Sequence, residues 1–225
     1  MKAPIRYLYR GGCGEIIEKK SRFIATIEPV TTEDEAAAFV ERIRKQYWDA
    51  RHNCTAMILG NSGELTRCSD DGEPPHTAGR PMLDILQHEE LHDVCVVVTR
   101  YFGGILLGTG GLVRAYGDAV REGLRNCIVA TKAEAVPVTV RTDYNGIGKL
   151  QYLTATSGIP VLSTEYAESV TTSLLLSEDD LASFRSAVSD ATQGKAVLEF
   201  GDPVMYTDVE GEFRVLGPAP SKNQN

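Results

Sequence analysis

No apolar run in this 225-residue chain approaches the length of a membrane span, and the opening MKAPIRYLYRGG has no apolar core of signal-peptide length. The sequence therefore predicts a cytoplasmic protein with no membrane segment. Cysteine is sparse and odd in number, since Cys13, Cys54, Cys68, Cys95 and Cys127 show no paired spacing. That pattern excludes a disulfide framework, argues against a thiolate zinc site, and favours buried thiols in a reducing compartment. All five cysteines and all four histidines precede residue 130. A basic domain is also missing. Residues 1–135 carry 17 Lys and Arg against 19 Asp and Glu, and residues 136–225 carry 6 against 12. A generic nucleic-acid binder shows a basic domain, so any RNA contact here must be a local patch. The composition that remains, 42% hydrophobic and 24% charged, is that of a globular chain with room for one large or two ordinary domains.

The most informative stretch is TRYFGGILLGTGGLVRAYG, Thr99 to Gly117. Gly103, Gly104, Gly108, Gly110 and Gly111 follow directly on Val94-Cys95-Val96-Val97-Val98, a short β-branched run that reads as a strand buried on both faces. Leu112, Tyr116, Ala119, Val120 and Leu124 then recur at helical spacing. The order is buried strand, glycine loop, helix N-terminus, and the first N–H groups of a helix form a ready anion site. A loop that only turned the chain would not need Arg100, Tyr101 and Phe102 before it and Arg114 after it. The stripe Arg114, Asp118, Arg121, Arg125 on that helix is by itself a solvated face.

Elsewhere, Ile16-Ile17 and then Phe23, Ala25, Ile27 alternate as strands. Thr32 to Glu35 is a capping box opening a helix over Ala36, Phe39, Val40, Ile43 and Tyr47. Cys54–Leu59 and Glu64–Cys68 flank a Gly-Asn-Ser-Gly turn, and Pro81 opens a short helix. The glycine-loop helix is expected to reach about Ile128, with Lys132–Ala135 as a linker. Beyond it the pattern is strand (Val136–Val140), helix (Leu150, Leu153), strands (Ile159–Tyr166, Val170–Leu176), helix (Leu181, Phe184, Val188) and strand (Ala196–Phe200). That is the ferredoxin-like order. The expected domains are 1–132 and 136–203, with a disordered tail over 217–225.

SDDGEP (Ser69–Pro74), TAGRPML (Thr77–Leu83) and VVVTRYFGGILLGTGGLVRAYG (Val96–Gly117), with KSRFIA (Lys20–Ala25) and RHNC (Arg51–Cys54), resemble the signature of the IMPACT/YigZ family. The resemblance implies an α+β protein. Its first domain would be similar to domain two of ribosomal protein S-five and domain IV of elongation factor G. Its second, ferredoxin-like domain would be similar to domain V of that factor. Eukaryotic relatives carry a different amino-terminal module and act in translational control, competing for a partner of a stress kinase. Where the family pattern has small residues after the proline, this chain has Pro75-His76.

Three other motifs suggest other chemistries. His88-Glu89-Glu90-Leu91-His92 matches the zinc-hydrolase pattern H-E-x-x-H, but the buried strand follows at once and no third ligand is evident. His52 and Cys54 share a strand face, the arrangement of a Cys–His nucleophile, though a buried thiol beside a strand-end histidine is the simpler reading. Asp70, Asp71 and Glu73 are either a Mg²⁺ cluster or an Asp-Gly turn. LGTGGL (Leu107–Leu112) also resembles the phosphate loop of GHMP-superfamily kinases, which leaves phosphoryl transfer as the alternative activity. The leading expectation is a non-catalytic module with no cofactor or metal, whose partner is RNA, the ribosome or a translation-associated protein. Its candidate ligand- or RNA-binding residues are Arg100, Tyr101, Phe102, Gly103, Gly104, Gly108, Thr109, Gly110, Gly111, Arg114, Tyr116, Asp70, Asp71 and Glu73. The matched motifs add Thr77, Arg22 and His52.

Overall fold

A computed structural model describes residues 4–219. It divides into two compact units, residues 5–130 and residues 131–219 together with Pro4. The first contains β1 (Ile5–Arg10), β2 (Gly12–Glu18), β3 (Ser21–Pro29), α1 (Glu33–Gln46), β4 (His52–Leu59), β5 (Leu65–Ser69), α2 (Gly79–His88), β6 (Val94–Tyr101) and α3 (Thr109–Leu124). Five of these strands form a sheet in the order β2-β3-β6-β4-β5, with every neighbouring pair antiparallel.

The valine run is the centre of that sheet. Side chains alternate across a strand, so Val94, Val96 and Val98 pack with Met82, Leu86, Leu112, Tyr116 and Val120 from α2 and α3. Cys95 and Val97 pack on the opposite face with Phe39 and Ile43 of α1. Thr32 caps α1 by accepting from the Glu35 amide at 3.2 Å, while the Glu35 carboxylate accepts from the Thr31 amide at 2.7 Å, one residue short of the usual box. Two features differ from expectation. β1 is an additional strand with Leu8 fully buried, and α3 ends at Leu124 because Ile128 already belongs to the next strand.

The second unit holds most of β7 (Ile128–Thr142), then α4 (Ile147–Thr156), β8 (Val161–Tyr166), β9 (Val170–Leu176), α5 (Leu181–Thr192), β10 (Val197–Phe200), β11 (Val204–Val209) and β12 (Glu212–Pro218). Its antiparallel order β10-β7-β9-β8 is the ferredoxin-like arrangement. Val136, Val138, Val140, Leu174 and Leu176 pack against Leu150 of α4 and Phe184 and Val188 of α5. Lys132–Ala135, expected as a linker, is the middle of β7 and pairs with β11. Alanine, lysine and glutamate are poor strand formers in isolation, and here the partner strand decides. A hairpin, β11–β12, also stands beyond residue 203, turning at Glu210 and Gly211 (φ 54° and 88°). Gly217 and Pro218, expected in the tail, belong to β12, and residues 220–225 lie outside the described residues.

β2 is rich in glycine because α3 crosses it closely. A Cβ on Gly14 would sit 2.6 Å from the Glu122 carbonyl carbon and the Gly123 nitrogen, both backbone atoms that cannot step aside. Gly14→Ala is expected to lower stability by about 1–3 kcal/mol, the range for overpacking, readable as a lower urea midpoint with an unchanged m-value.

Candidate functional site: one end of the five-stranded sheet

The β2–β3 turn, the start of β4, the end of β6 and the glycine loop meet at one end of the sheet, because Arg22 pairs with Tyr101 and His52 with Arg100 across neighbouring strands. Arg51 therefore enters β4 beside Tyr101. The β2–β3 turn is made by Lys19 and Lys20, both left-handed at φ 47° and 66°. A two-residue turn of this kind favours Asn-Gly, and each side chain held there costs on the order of 1 kcal/mol. The glycine loop lies directly on this turn. A Cβ on Gly103 would fall 2.0 Å from the Lys20 carbonyl carbon, and the Gly103 amide donates to Ser21 Oγ at 3.1 Å.

Arg22 makes two hydrogen bonds to Glu15, at 2.9 and 3.0 Å, and lies 5.7 Å over the Tyr101 ring. The hydrogen bonds from Arg22 lower the Glu15 carboxyl and raise the guanidinium. Tyr101 donates its hydroxyl to Asp49 at 2.7 Å, and burial, then that carboxylate, pushes the phenol up to about 12. The Asp49 bond holds the chain after α1 beside Tyr101, where neighbouring Trp48 is 83% exposed. Phe102 is 52% exposed and Leu106 82% exposed on the glycine loop.

Gly104 and Gly108 take φ of 84° and 73°, conformations that glycine supplies at no steric penalty. Gly108 is the N-cap of α3, and no side chain caps the helix. Among the described residues no acceptor reaches the first-turn amides of Thr109, Gly110 and Gly111, whereas Leu112 donates to the Gly108 carbonyl. Thr109 and Gly110 are exposed. Arg114 is exposed with no ion pair among the described residues, while Arg121 and Arg125 on the same helix pair with Asp118 and Glu122.

Several expected ligand residues are instead interior. Arg100 is only 7% exposed, and its Nη1 donates to Glu73 Oε1 at 2.6 Å. Its guanidinium lies between the Phe23 and Phe102 rings, and its Nε has no partner among the described residues. Tyr116 is fully buried, donating to the same Glu73 oxygen at 2.8 Å and accepting from Cys54 Sγ at 3.3 Å. Arg100 therefore cannot serve as a surface phosphate ligand, Tyr116 cannot stack on a base, and Glu73 is a core counter-ion.

The three acidic residues of the SDDGEP loop diverge. Asp70 accepts from the amides of His76, Ala78 and Gly79 at 2.8, 3.0 and 2.8 Å and so pins the start of α2. Burial alone would raise its carboxyl, but these three N–H groups outweigh it and hold it low. Asp71 accepts from Arg44 at 3.0 Å and from the Asn53 amide at 2.7 Å. Asp70 and Asp71 thus take separate internal partners around the Asp-Gly turn. His76 takes φ 63°, a left-handed conformation that glycine supplies at no steric penalty. Thr77 is buried and donates to the Pro74 carbonyl at 2.7 Å. His52 Nδ1 lies 2.9 Å from the Asp71 carbonyl.

Neither hydrolytic alternative assembles. α2 ends at His88, Glu90 turns left-handed at φ 53°, and His92 Nδ1 sits 3.0 Å from the Gly60 carbonyl. Burial pushes the Cys54 thiol up to about 12, the reverse of an activated nucleophile. Lys19, Lys20, Arg51 and Trp48 also lie at or beside this end of the sheet and are not among the ligand residues expected from the sequence, although Lys20 and Arg51 stand in its matched motifs. The available signal was a Lys-Lys pair standing where a two-residue hairpin turn must fall.

The Impact N-terminal domain model matches residues 19–124, and a domain of unknown function (DUF1949) matches residues 140–195. The IMPACT family member YvyE of Bacillus subtilis is 40% identical over 84% of this chain and 87% of that relative. The chain belongs to the IMPACT family. YigZ of Escherichia coli, also an IMPACT family member, is 36% identical over 80% of this chain and 89% of its own. A solved structure described as a hypothetical protein is 33% identical, covers 88% of this chain and 97% of its own, and superposes with a TM-score of 0.57.

In this IMPACT family chain, removing one partner of the buried ion pair strands the other. Arg100→Ala is expected to lower stability by about 3–5 kcal/mol, seen as a lower melting temperature, with a smaller loss in the double variant Arg100→Met, Glu73→Gln. A thiol reagent at neutral pH should label exposed Cys13 and Cys68 in the native protein, and Cys54 and Cys95 only after unfolding.

Proposed function

We propose that this protein is a non-catalytic, RNA-binding module acting in translation, and that the end of the sheet described above is its contact surface. The observation that carries the reading is the meeting there of Lys19, Lys20 and Arg51, none in an ion pair among the described residues, with the part-exposed Tyr101 and exposed Phe102 rings; Arg114 is exposed on α3, likewise outside any ion pair among the described residues. Phosphates take the cations and backbone N–H groups, and exposed rings take bases. The first turn of α3 adds its open amides beside Arg114. The placement in translation follows from the family resemblance, and the small size of the patch agrees with a first half whose charges nearly balance. Phosphoryl transfer is disfavoured because Asp70, Asp71 and Glu73 are each engaged in separate internal hydrogen bonds.

Fluorescence anisotropy with a mixed-sequence RNA tests the proposal. Wild-type binding should weaken with salt. The triple variant Lys19→Ala, Lys20→Ala, Arg114→Ala should bind more weakly and lose roughly 0.7 of logarithmic salt slope per phosphate contact removed. An identical affinity and slope in the variant would sink the proposed surface. Adding ATP and Mg²⁺ should leave the melting temperature unchanged, and a rise of several degrees would favour the kinase reading instead.

A further inference from the structure

We infer that the second unit holds a binding cavity for a linear aliphatic polyamine, enclosed by the β11–β12 hairpin, the first half of β7 and the turns that follow α4 and β9. A cavity of about 510 Å³ lies there, within the range of roughly 300–1000 Å³ usual for small-molecule sites. The sequence of β7 makes the room. Directly opposed residues on antiparallel strands share a face, and the register sets Val204 against Ala135, Tyr206 against Ala133 and Asp208 against Phe213. Side chains alternate along each strand, so Ala133, Ala135, Tyr206, Asp208 and Phe213 all stand on one face, and all five line the cavity. The two alanines stop at Cβ, and the volume that larger strand residues would fill stays open. The same ATKAEA segment that forms a strand only through its partner is therefore the floor of the hollow.

The lining selects the occupant. The Tyr206 and Phe213 ring centroids are 6.3 Å apart with planes at 53°, a tilted pair whose π surfaces attract an ammonium group. Ile159 and Leu175 add aliphatic surface from the other elements. Asp208 supplies the charge on the floor face. It accepts from the Gly211 amide at 2.8 Å and makes no ion pair among the described residues. Burial, and then that carboxylate, hold the Tyr206 phenol above its ordinary value. Glu178, Asp179 and Asp180 bring further carboxylates from the turn after β9. No Lys, Arg or His lines the cavity among the described residues, and from residue 136 onward only 6 Lys and Arg stand against 12 Asp and Glu. The field around the opening therefore draws cations. A bare divalent ion would satisfy carboxylates but leave the rings and aliphatic wall unused. A purely apolar molecule would cut the carboxylates off from water without a partner. An aliphatic polyamine meets both demands, with methylenes for the carbon surface and separate ammonium groups for carboxylates carried on different elements.

Calorimetric titration of the full chain with spermidine tests this, at physiological ionic strength so that diffuse attraction to an acidic surface is screened. Saturable binding is expected, and magnesium at equal concentration should not displace the amine. Asp208→Asn keeps an oxygen for the Gly211 amide and should weaken binding roughly three- to five-fold. Phe213→Leu keeps apolar volume but removes a ring, and should weaken it roughly two- to five-fold. Ala133→Leu fills the floor without changing any charge and should abolish binding, with a melting temperature at or above wild type confirming folding. Should Ala133→Leu fail to fold, the Asp208 and Phe213 variants decide. Wild-type affinity in folded Ala133→Leu, or in both other variants, overturns the cavity, as does full displacement by magnesium, which marks surface charge alone. Binding of hexalysine without binding of spermidine would assign this face to a basic protein segment and overturn the polyamine. Absence of binding by either probe overturns it as well. None of these readouts involves RNA, so the proposed RNA surface stands or falls separately.

Discussion

One buried carboxylate organises the first unit. Glu73 accepts from Arg100 and from Tyr116 through the same oxygen, inside a core that excludes water. In so low a dielectric an unpaired carboxylate or guanidinium would be costly, so each group fixes the others. The loop after β5, the end of β6 and the second turn of α3 are thereby tied at one point. Cys54 joins from β4, donating to the Tyr116 hydroxyl and the Asp70 carbonyl. Three motifs that lie apart in sequence, SDDGEP, RYFGG and LVRAY, are one hydrogen-bonded cluster in space.

That cluster also explains what is left for the surface. With Arg100 turned inward and Asp70 capping α2, the groups the core does not consume are the Lys19–Lys20 turn, Arg51, Arg114, Trp48 and the outer side of Phe102. The two left-handed lysines are a local strain that the hairpin tolerates because Gly103 packs on the turn without a side chain. Arg114 differs from Arg121 and Arg125 only in lacking an acidic neighbour three residues away on its helix. Of the arginines in that stripe, Arg114 alone stands outside an ion pair among the described residues.

The second unit follows a different logic. Its charge is strongly acidic, with 6 Lys and Arg against 12 Asp and Glu from residue 136 onward, which repels a polyanion. Its strands and helices close a modest aliphatic core around Val138, Val140, Leu174 and Phe184. The β11–β12 hairpin gives the first half of β7 a partner and so turns an unpromising ATKAEA segment into strand.

The sequence by itself determined the buried central strand, the glycine loop, the helix that follows and the ferredoxin-like order, because these depend on local periodicity and on the conformations glycine alone adopts freely. It also determined the family, through motifs whose residue types and order are individually constrained. Tertiary structure alone decided which polar residues of those motifs face inward. Arg100 and Arg114 are both arginines flanking one loop, yet one lies within reach of Glu73, 27 residues away, and the other meets no carboxylate among the described residues. The same holds for β1 and for Lys132–Ala135, whose strand character comes from partners distant in the chain. Burial and pairing are properties of the neighbours brought together by folding, and a linear pattern carries no record of them.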